Sequence, residues 1–250
     1  MLRTPDGIAV EAAYEPGPAP GADPVIVLAH GFTGDLERPH VRRAAAVFAQ
    51  RAAVITFSFR GHGRSGGRST VGDREVLDLA AVVEWARSLG HARVVTVGFS
   101  MGGSVVLRHA ASHRGRTEAR TDAVVAVSAP ARWFYRGTAP MRRLHWVVTR
   151  PTGRMVGRLG LRTRIHPYDW DPVPLSPVES VPLIAPTPLL VVHGDRDPYF
   201  PVDHPRMLAE AADGGAELWL EPGMGHAEHA ASDALLDRIG AWAAAAGAAQ

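Results

Sequence analysis

Six short, largely apolar runs punctuate the chain, at 24–29, 53–57, 93–99, 123–127, 188–192 and 217–220. Each stops abruptly at a polar or glycine-rich loop, such as His30-Gly31, Ser128-Ala129-Pro130 or His193-Gly194. Runs that are apolar on both faces are what parallel strands covered by helices look like. Between them lie helical patterns over 39–51, 73–89, 102–112, 203–213 and 232–246; the second carries Val76, Leu79, Val82, Val83, Ala86 and Leu89 as an apolar face. This alternation predicts an α/β fold, a doubly wound and mostly parallel sheet. Ahead of it, Ile8, Val10, Ala12 and Tyr14 alternate with polar positions, as in an antiparallel edge strand. The alanine-rich tail, Ala241 to Ala249, is expected to finish the last helix and fray at Gly247.

The rhythm breaks between residues 131 and 186. Two helices are expected there, near 139–149 and 152–162, followed by Pro167, Pro172, Pro174, Pro177, Pro182 and Pro186. That much proline is incompatible with helix interiors or central strands. The expected organisation is a core of 1–130 and 187–250 with a helical, proline-rich cap, 131–186, over the carboxyl edge of the sheet, where open α/β folds bind ligands.

Composition narrows the chemistry. The 250 residues include no Cys, no Lys and no Asn, so all 27 basic residues are Arg. A-rich codons specify both Lys and Asn, so a GC-rich genome accounts for the last two absences. Without Cys there are no disulfides, thiolate metal sites or cysteine nucleophiles. Without Lys there is no Schiff base, Walker P-loop or Ser–Lys dyad. Net charge is +2, too mild to imply a nucleic-acid partner. No apolar run reaches the roughly 20 residues of a membrane span, and Met1 to Gly7 lacks the apolar core of a signal peptide. A cytoplasmic location is the expectation.

Gly98-Phe99-Ser100-Met101-Gly102 is G-x-S-x-G between a predicted strand and a predicted helix. In that setting the motif is a nucleophile elbow: a tight turn lifts Ser100 above the sheet, and the following helix aims its N-terminus at the same place. A serine nucleophile needs a base, and the base needs an orienting acid. His226, in the glycine-rich loop after the last strand run, is the candidate base; His229 is the competitor, expected in the first turn of the next helix. The loop after the preceding strand, His193-Gly194-Asp195-Arg196-Asp197, offers two acids, Asp195 and Asp197.

These motifs, taken in order, resemble the alpha/beta-hydrolase superfamily, especially its bacterial esterase/lipase and serine-aminopeptidase-like branch. His30-Gly31-Phe32-Thr33-Gly34 resembles the family's oxyanion loop, Arg60 to Ser65 its R-G-H-G-x-S loop, and Gly225-His226 the site of its base. His193 to Asp197 resembles H-G-x-x-D, whose last residue is the family's acid, which selects Asp197. The resemblance implies a triad of Ser100, Asp197 and His226, an oxyanion hole from the backbone N–H groups of Phe32 and Met101, and no cofactor. It implies hydrolysis of a carboxylic ester of a small-molecule acyl substrate. It equally permits thioesterase, amidase, aminopeptidase or acyltransferase chemistry, and a non-catalytic binding protein is the rival of another class. The H-G-F-T-G loop is similar to that of bacterial feruloyl and cinnamoyl esterases. One departure is Ser58, where many members carry Asp; it is expected to alter how the loop at 58–66 is anchored.

The remaining candidates have plainer roles. His30, His62 and His193 are expected to bond loop backbone, Ser104 to pack a helix, and His226-Ala227-Glu228-His229 matches no helical zinc motif. No metal is expected. The cap is basic: residues 131–168 hold nine Arg and no acid. Arg154, Arg158 and Arg162 are spaced for one helix face, with Met155, Val156 and Leu159 on another. These three arginines, with Trp133 and Phe134, are the candidate substrate contacts. Such a lid suits an anionic substrate or peripheral contact with an anionic membrane, and equally a solvated face.

Overall fold

The computed structural model describes residues 1–18 and 23–246. Eight strands form one sheet: β1 (Leu2–Arg3), β2 (Ala9–Glu15), β3 (Val25–Ala29), β4 (Ala53–Ser58), β5 (Val94–Phe99), β6 (Ala123–Val127), β7 (Leu189–Gly194) and β8 (Ala216–Glu221), in the order β1-β2-β4-β3-β5-β6-β7-β8. From β4 to β8 the neighbours run parallel; β2 lies antiparallel to β4 and β1 antiparallel to β2. The edge is therefore the two-residue β1, too short to register in the sequence pattern, and β2 sits one place inside it.

The helices are α1 (Pro39–Phe48), α2 (Glu75–Ser88), α3 (Met101–His113), α4 (Ala139–Thr149), α5 (Pro151–Leu159), α6 (Pro177–Ser180), α7 (Asp203–Ala211), α8 (Ala227–Ala230) and α9 (Asp233–Ala245), with a 3₁₀ turn at Val181–Leu183. None is long and apolar enough to cross a membrane. The anticipated fraying at Gly247 lies outside the described residues.

The sheet separates two apolar layers. Along β3, Val25, Val27 and Ala29 face a layer with Leu79 of α2, Val105 of α3 and Leu208 of α7, while Ile26 and Leu28 face Val41 and Phe48 of α1 and Leu236 and Ile239 of α9. Period-two alternation between two apolar faces is why these strands read as continuous runs. The loops leaving the carboxyl ends of β3, β5, β7 and β8 then meet along one edge.

Residues 131–186 lie between β6 and β7, and their second helix departs from expectation. The helix expected over 152–162 ends at Leu159; Arg162 lies beyond it with φ of +55°, so it does not continue the face of Arg154 and Arg158. The inward side of α5 is Gly153 and Gly157, whereas Met155, Val156 and Leu159 are exposed. A side chain at Gly153 would collide with the Trp146 carbonyl of α4, and one at Gly157 would crowd Ile165, so Gly153 allows the two helices to touch. Within the proline-rich stretch, Trp170 and Val173 border the cavity that holds Ser100, whereas Val181 and Ile184 further on join the core layer containing α3. Pro177 and Pro182 occupy first-turn positions, where a missing N–H costs nothing.

Candidate active site

The turn at Ser100 is strained as the motif requires. Ser100 has φ of 52° and ψ of −113°, and a side chain at Gly98 would be driven into the Gly102 carbonyl, or one at Gly102 into the Ala29 carbonyl. Both positions need glycine because β5, α3 and β3 approach one another there. Ser100 N–H bonds the Val127 carbonyl at 2.9 Å, which pins the turn to the end of β6.

Three side chains from three loops join in a line. The Ser100 hydroxyl and His226 Nε2 are 2.9 Å apart, and His226 Nδ1 lies 2.7 Å from Asp197 Oδ2. The other Asp197 oxygen accepts the N–H groups of Tyr199 (2.8 Å) and Phe200 (3.1 Å). Burial alone would raise the Asp197 pKa; hydrogen bonds from His226 and from these two N–H groups outweigh it and hold the carboxyl below its ordinary value. An ionised Asp197 fixes the imidazole with Nδ1 as donor and Nε2 free to accept from the serine. Asp195 turns away, its Oδ1 accepting the Gly223 N–H at 2.6 Å. His229 is in α8, a short helix of its own rather than the first turn of α9. Phe32 follows β3 and Met101 opens α3; both border the same cavity as Ser100.

That cavity is about 690 Å³. Trp133 and Phe134 line it together with Trp170; Trp170 lies 5.0 Å from Trp133 and 5.6 Å from Phe134, ring centre to ring centre. The indole N–H of Trp170 donates to the Thr70 carbonyl at 2.7 Å, and that of Trp133 to the Pro174 carbonyl at 3.0 Å. Arg154, Arg158 and Arg162 are not on the wall; the arginines there are Arg132, Arg136 and Arg150. The reason is the turn of α5: Arg154 reaches back to the carbonyls of Val148 and Thr149, and Arg158 is exposed.

Other expectations are met in the backbone. His30 Nε2 accepts the Phe59 N–H (3.0 Å), His62 Nδ1 sits 3.0 Å from the Arg60 carbonyl, and His193 Nε2 sits 2.8 Å from the Phe200 carbonyl. Ser104 donates to the Met101 carbonyl at 2.7 Å. The loop after Ser58 is anchored by the Glu11 carboxylate of β2, which takes the Arg64 N–H at 3.1 Å and lies 3.4 Å from the Ser58 hydroxyl.

Several contributors carry no one-dimensional signal. The Tyr199 ring lies against His226 at 4.3 Å. Buried Glu75 gathers the Ser69 hydroxyl (2.8 Å), the Thr70 hydroxyl (2.6 Å) and the Gly72 N–H (3.0 Å), which shapes one cavity wall. Ser128 accepts the Ala227 N–H at 3.0 Å and sets the direction of the chain after His226.

A two-sided α/β sheet, a serine on a strained elbow and a histidine and carboxylate from the next loops define an alpha/beta hydrolase. The model of that fold family matches residues 24–150, and the chain belongs to it. Within the family it is 28% identical over 249 residues to the monoacylglycerol lipase of Mycolicibacterium smegmatis, covering 83% of each chain. The fold is shared with the Pyrococcus furiosus esterase Pf2001, at a TM-score of 0.73 and 23% identity over 96% of this chain and 89% of that one. It is shared also with DcsB, solved with a substrate analogue, at a TM-score of 0.77 and 19% identity over 99% and 98%.

Proposed function

We propose that this chain is a serine hydrolase that cleaves carboxylic esters of small-molecule acyl substrates through an acyl-enzyme on Ser100. The observation that carries the reading is the hydrogen-bonded line from Asp197 through His226 to Ser100, opening into a cavity large enough for an acyl chain. The relative named a monoacylglycerol lipase supports the same chemistry.

Ser100 Oγ attacks the ester carbonyl as His226 Nε2 takes its proton. Asp197 holds the tautomer and stabilises the imidazolium. The N–H groups of Phe32 and Met101 receive the oxyanion, where a donor is worth about 3–4 kcal/mol of barrier. His226 returns the proton to the leaving alkoxide, and water repeats the sequence on the acyl-enzyme. The apolar wall of Trp133, Phe134 and Trp170 receives the acyl chain. Residues 131–186 act as a cap whose exposed Met155, Val156 and Leu159, flanked by Arg154 and Arg158, suit the surface of an anionic lipid aggregate.

The test is one purified sample assayed on p-nitrophenyl esters, thioesters and aminoacyl arylamides, with fluorophosphonate labelling of wild type and Ser100→Ala. Ester turnover and labelling that both vanish in the variant support the reading. Labelling or turnover that survives it, or arylamide cleavage without ester cleavage, overturns it.

A further inference from the structure

Behind the oxyanion loop, on the side of the sheet away from the acyl cavity, lies a second cluster of potential ligands. His40 from the first turn of α1 meets Glu228 and His229 of α8, and one ligating atom from each lies within 4.8 Å of the others. The two imidazole rings are 3.6 Å apart, centre to centre. No hydrogen bond among the described residues engages a ring nitrogen of either one.

The carboxylate is the telling member. Glu228 is 2% exposed. One of its oxygens accepts a single long hydrogen bond, 3.4 Å from the Gly31 N–H, and the other is buried with no partner among the described residues. A buried carboxylate oxygen left unpaired costs free energy that a donor or a cation in contact would recover. The neighbouring arginines do not supply that contact. Arg38 is paired with Asp35, and Arg43 with Asp233. Arg43 also donates to the carbonyls of Glu228 and Ala231, both at 2.8 Å, which clamps α8 onto α1. Ala227 is buried with φ of +55°, a conformation that alanine adopts only when its surroundings impose it. The turn it makes is what delivers Glu228 inward and His229 alongside His40.

We infer that His40, Glu228 and His229 form a binding site for a divalent transition-metal ion of the zinc class, distinct from the catalytic line. Two imidazole nitrogens and one carboxylate oxygen are the donor set that Zn²⁺ takes at about 2.0–2.2 Å, with water as the fourth ligand. Small closing movements of the half-buried His40 and exposed His229 imidazoles bring the three donors to that distance. Mg²⁺ and Ca²⁺ prefer all-oxygen sites and are disfavoured here. The ion answers the unpaired oxygen of Glu228. It also ties α1 to the segment that follows His226, and through Glu228 to Gly31 at the start of the oxyanion loop. The site stands on its own geometry, whatever bond the enzyme cleaves.

The experiment uses chelator-treated full-length protein. Zn²⁺ is titrated by calorimetry, and Tm is read with Zn²⁺, Mg²⁺ or Ca²⁺ present. Wild type is expected to take up one equivalent of Zn²⁺, and at a free concentration near one hundred times Kd to gain about 5–10 °C in Tm. His40→Gln, at a half-buried position, and His229→Gln, at an exposed one, should each weaken binding at least about tenfold. Glu228→Gln keeps a carbonyl oxygen for Gly31 N–H while removing the charge. Its metal-free Tm should equal or exceed that of wild type, and Zn²⁺ should no longer raise it. No uptake by wild type, an equal shift from Mg²⁺ or Ca²⁺, or wild-type binding in any of the three variants overturns the site. Because every readout is binding or stability, a failed ester assay leaves the result intact, and the converse holds.

Discussion

Asp197 and Asp195 stand two residues apart in one loop and make different contacts. Asp197 accepts from His226 Nδ1 at 2.7 Å while its second oxygen holds two backbone N–H groups; among the described residues, the Asp195 side chain accepts only the N–H of Gly223. Asp197→Asn keeps the oxygen for Tyr199 and Phe200, so the loop should fold as before. Its amide, however, no longer stabilises a cationic His226 and can donate to Nδ1, favouring the wrong tautomer. The expected fall in kcat is about 10³–10⁴-fold, or about 4–5.5 kcal/mol of barrier. Asp195→Asn retains an oxygen for Gly223 and should stay within about threefold of wild type. Initial rates on a p-nitrophenyl ester, with kcat and KM resolved and Tm checked, decide the matter. A larger loss in Asp195→Asn, or more than a tenth of wild-type kcat in Asp197→Asn, would refute the assignment of Asp197 as the orienting acid.

Three further outcomes are expected. Buried His30 and His109 have pKa values pushed down to about 3, chiefly by desolvation and then by His62 and His113 respectively. Both are neutral when folded but take a proton near pH 6.5 when unfolded, so their stability contribution is complete above pH 6.5 and lost as pH falls toward 3. At pH 5 each costs about 2 kcal/mol, and urea unfolding at pH 7.5 and pH 5 should differ by about 4 kcal/mol from this pair. Gly102→Ala, which drives a methyl into the Ala29 carbonyl, should cost at least about 3 kcal/mol, whereas Gly115→Ala, with nothing within 4 Å, should leave Tm nearly unchanged. Arg154→Gln, Arg158→Gln and Arg162→Gln together should leave kcat/KM on a small neutral ester within about twofold, because none lines the cavity. Sedimentation with anionic vesicles at low salt should weaken severalfold in that variant, and wild-type vesicle binding there would reduce the arginines to a solvated face.

The central strands were legible because burial on both faces leaves an unbroken apolar signature, as in Val25–Ala29 and Ala123–Val127. The elbow was legible because backbone crowding at Gly98 and Gly102 excludes any side chain, so geometry writes directly into residue type. Asp197 was separable from Asp195 only by resemblance. The distinction lies in which carboxylate the loop turns toward His226, and composition does not encode that direction. Glu75 and Ser128 were invisible for a related reason: each acts by gathering backbone and hydroxyl groups of loops that meet only after folding.

The orientation of α5 was illegible for a different physical reason. A helical wheel assigns the inward face to the apolar residues, and α5 offers Met155, Val156 and Leu159 for that role. Close packing can instead be won by having no side chain at all. Gly153 lets α5 lie against α4, Gly157 makes room for Ile165, and the large apolar residues are left outside. The same inversion moved the arginines. With glycine facing inward, Arg154 turns back to the end of α4, Arg158 faces solvent, and Arg162 falls beyond the helix end. An exposed apolar stripe bordered by arginines is costly in water unless something meets it. The reading of this cap as a surface-contacting element therefore rests on the glycines as much as on the charges. A Gly153→Leu, Gly157→Leu variant would force α5 off α4 and should alter vesicle binding and cap stability while leaving the Asp197–His226–Ser100 line intact.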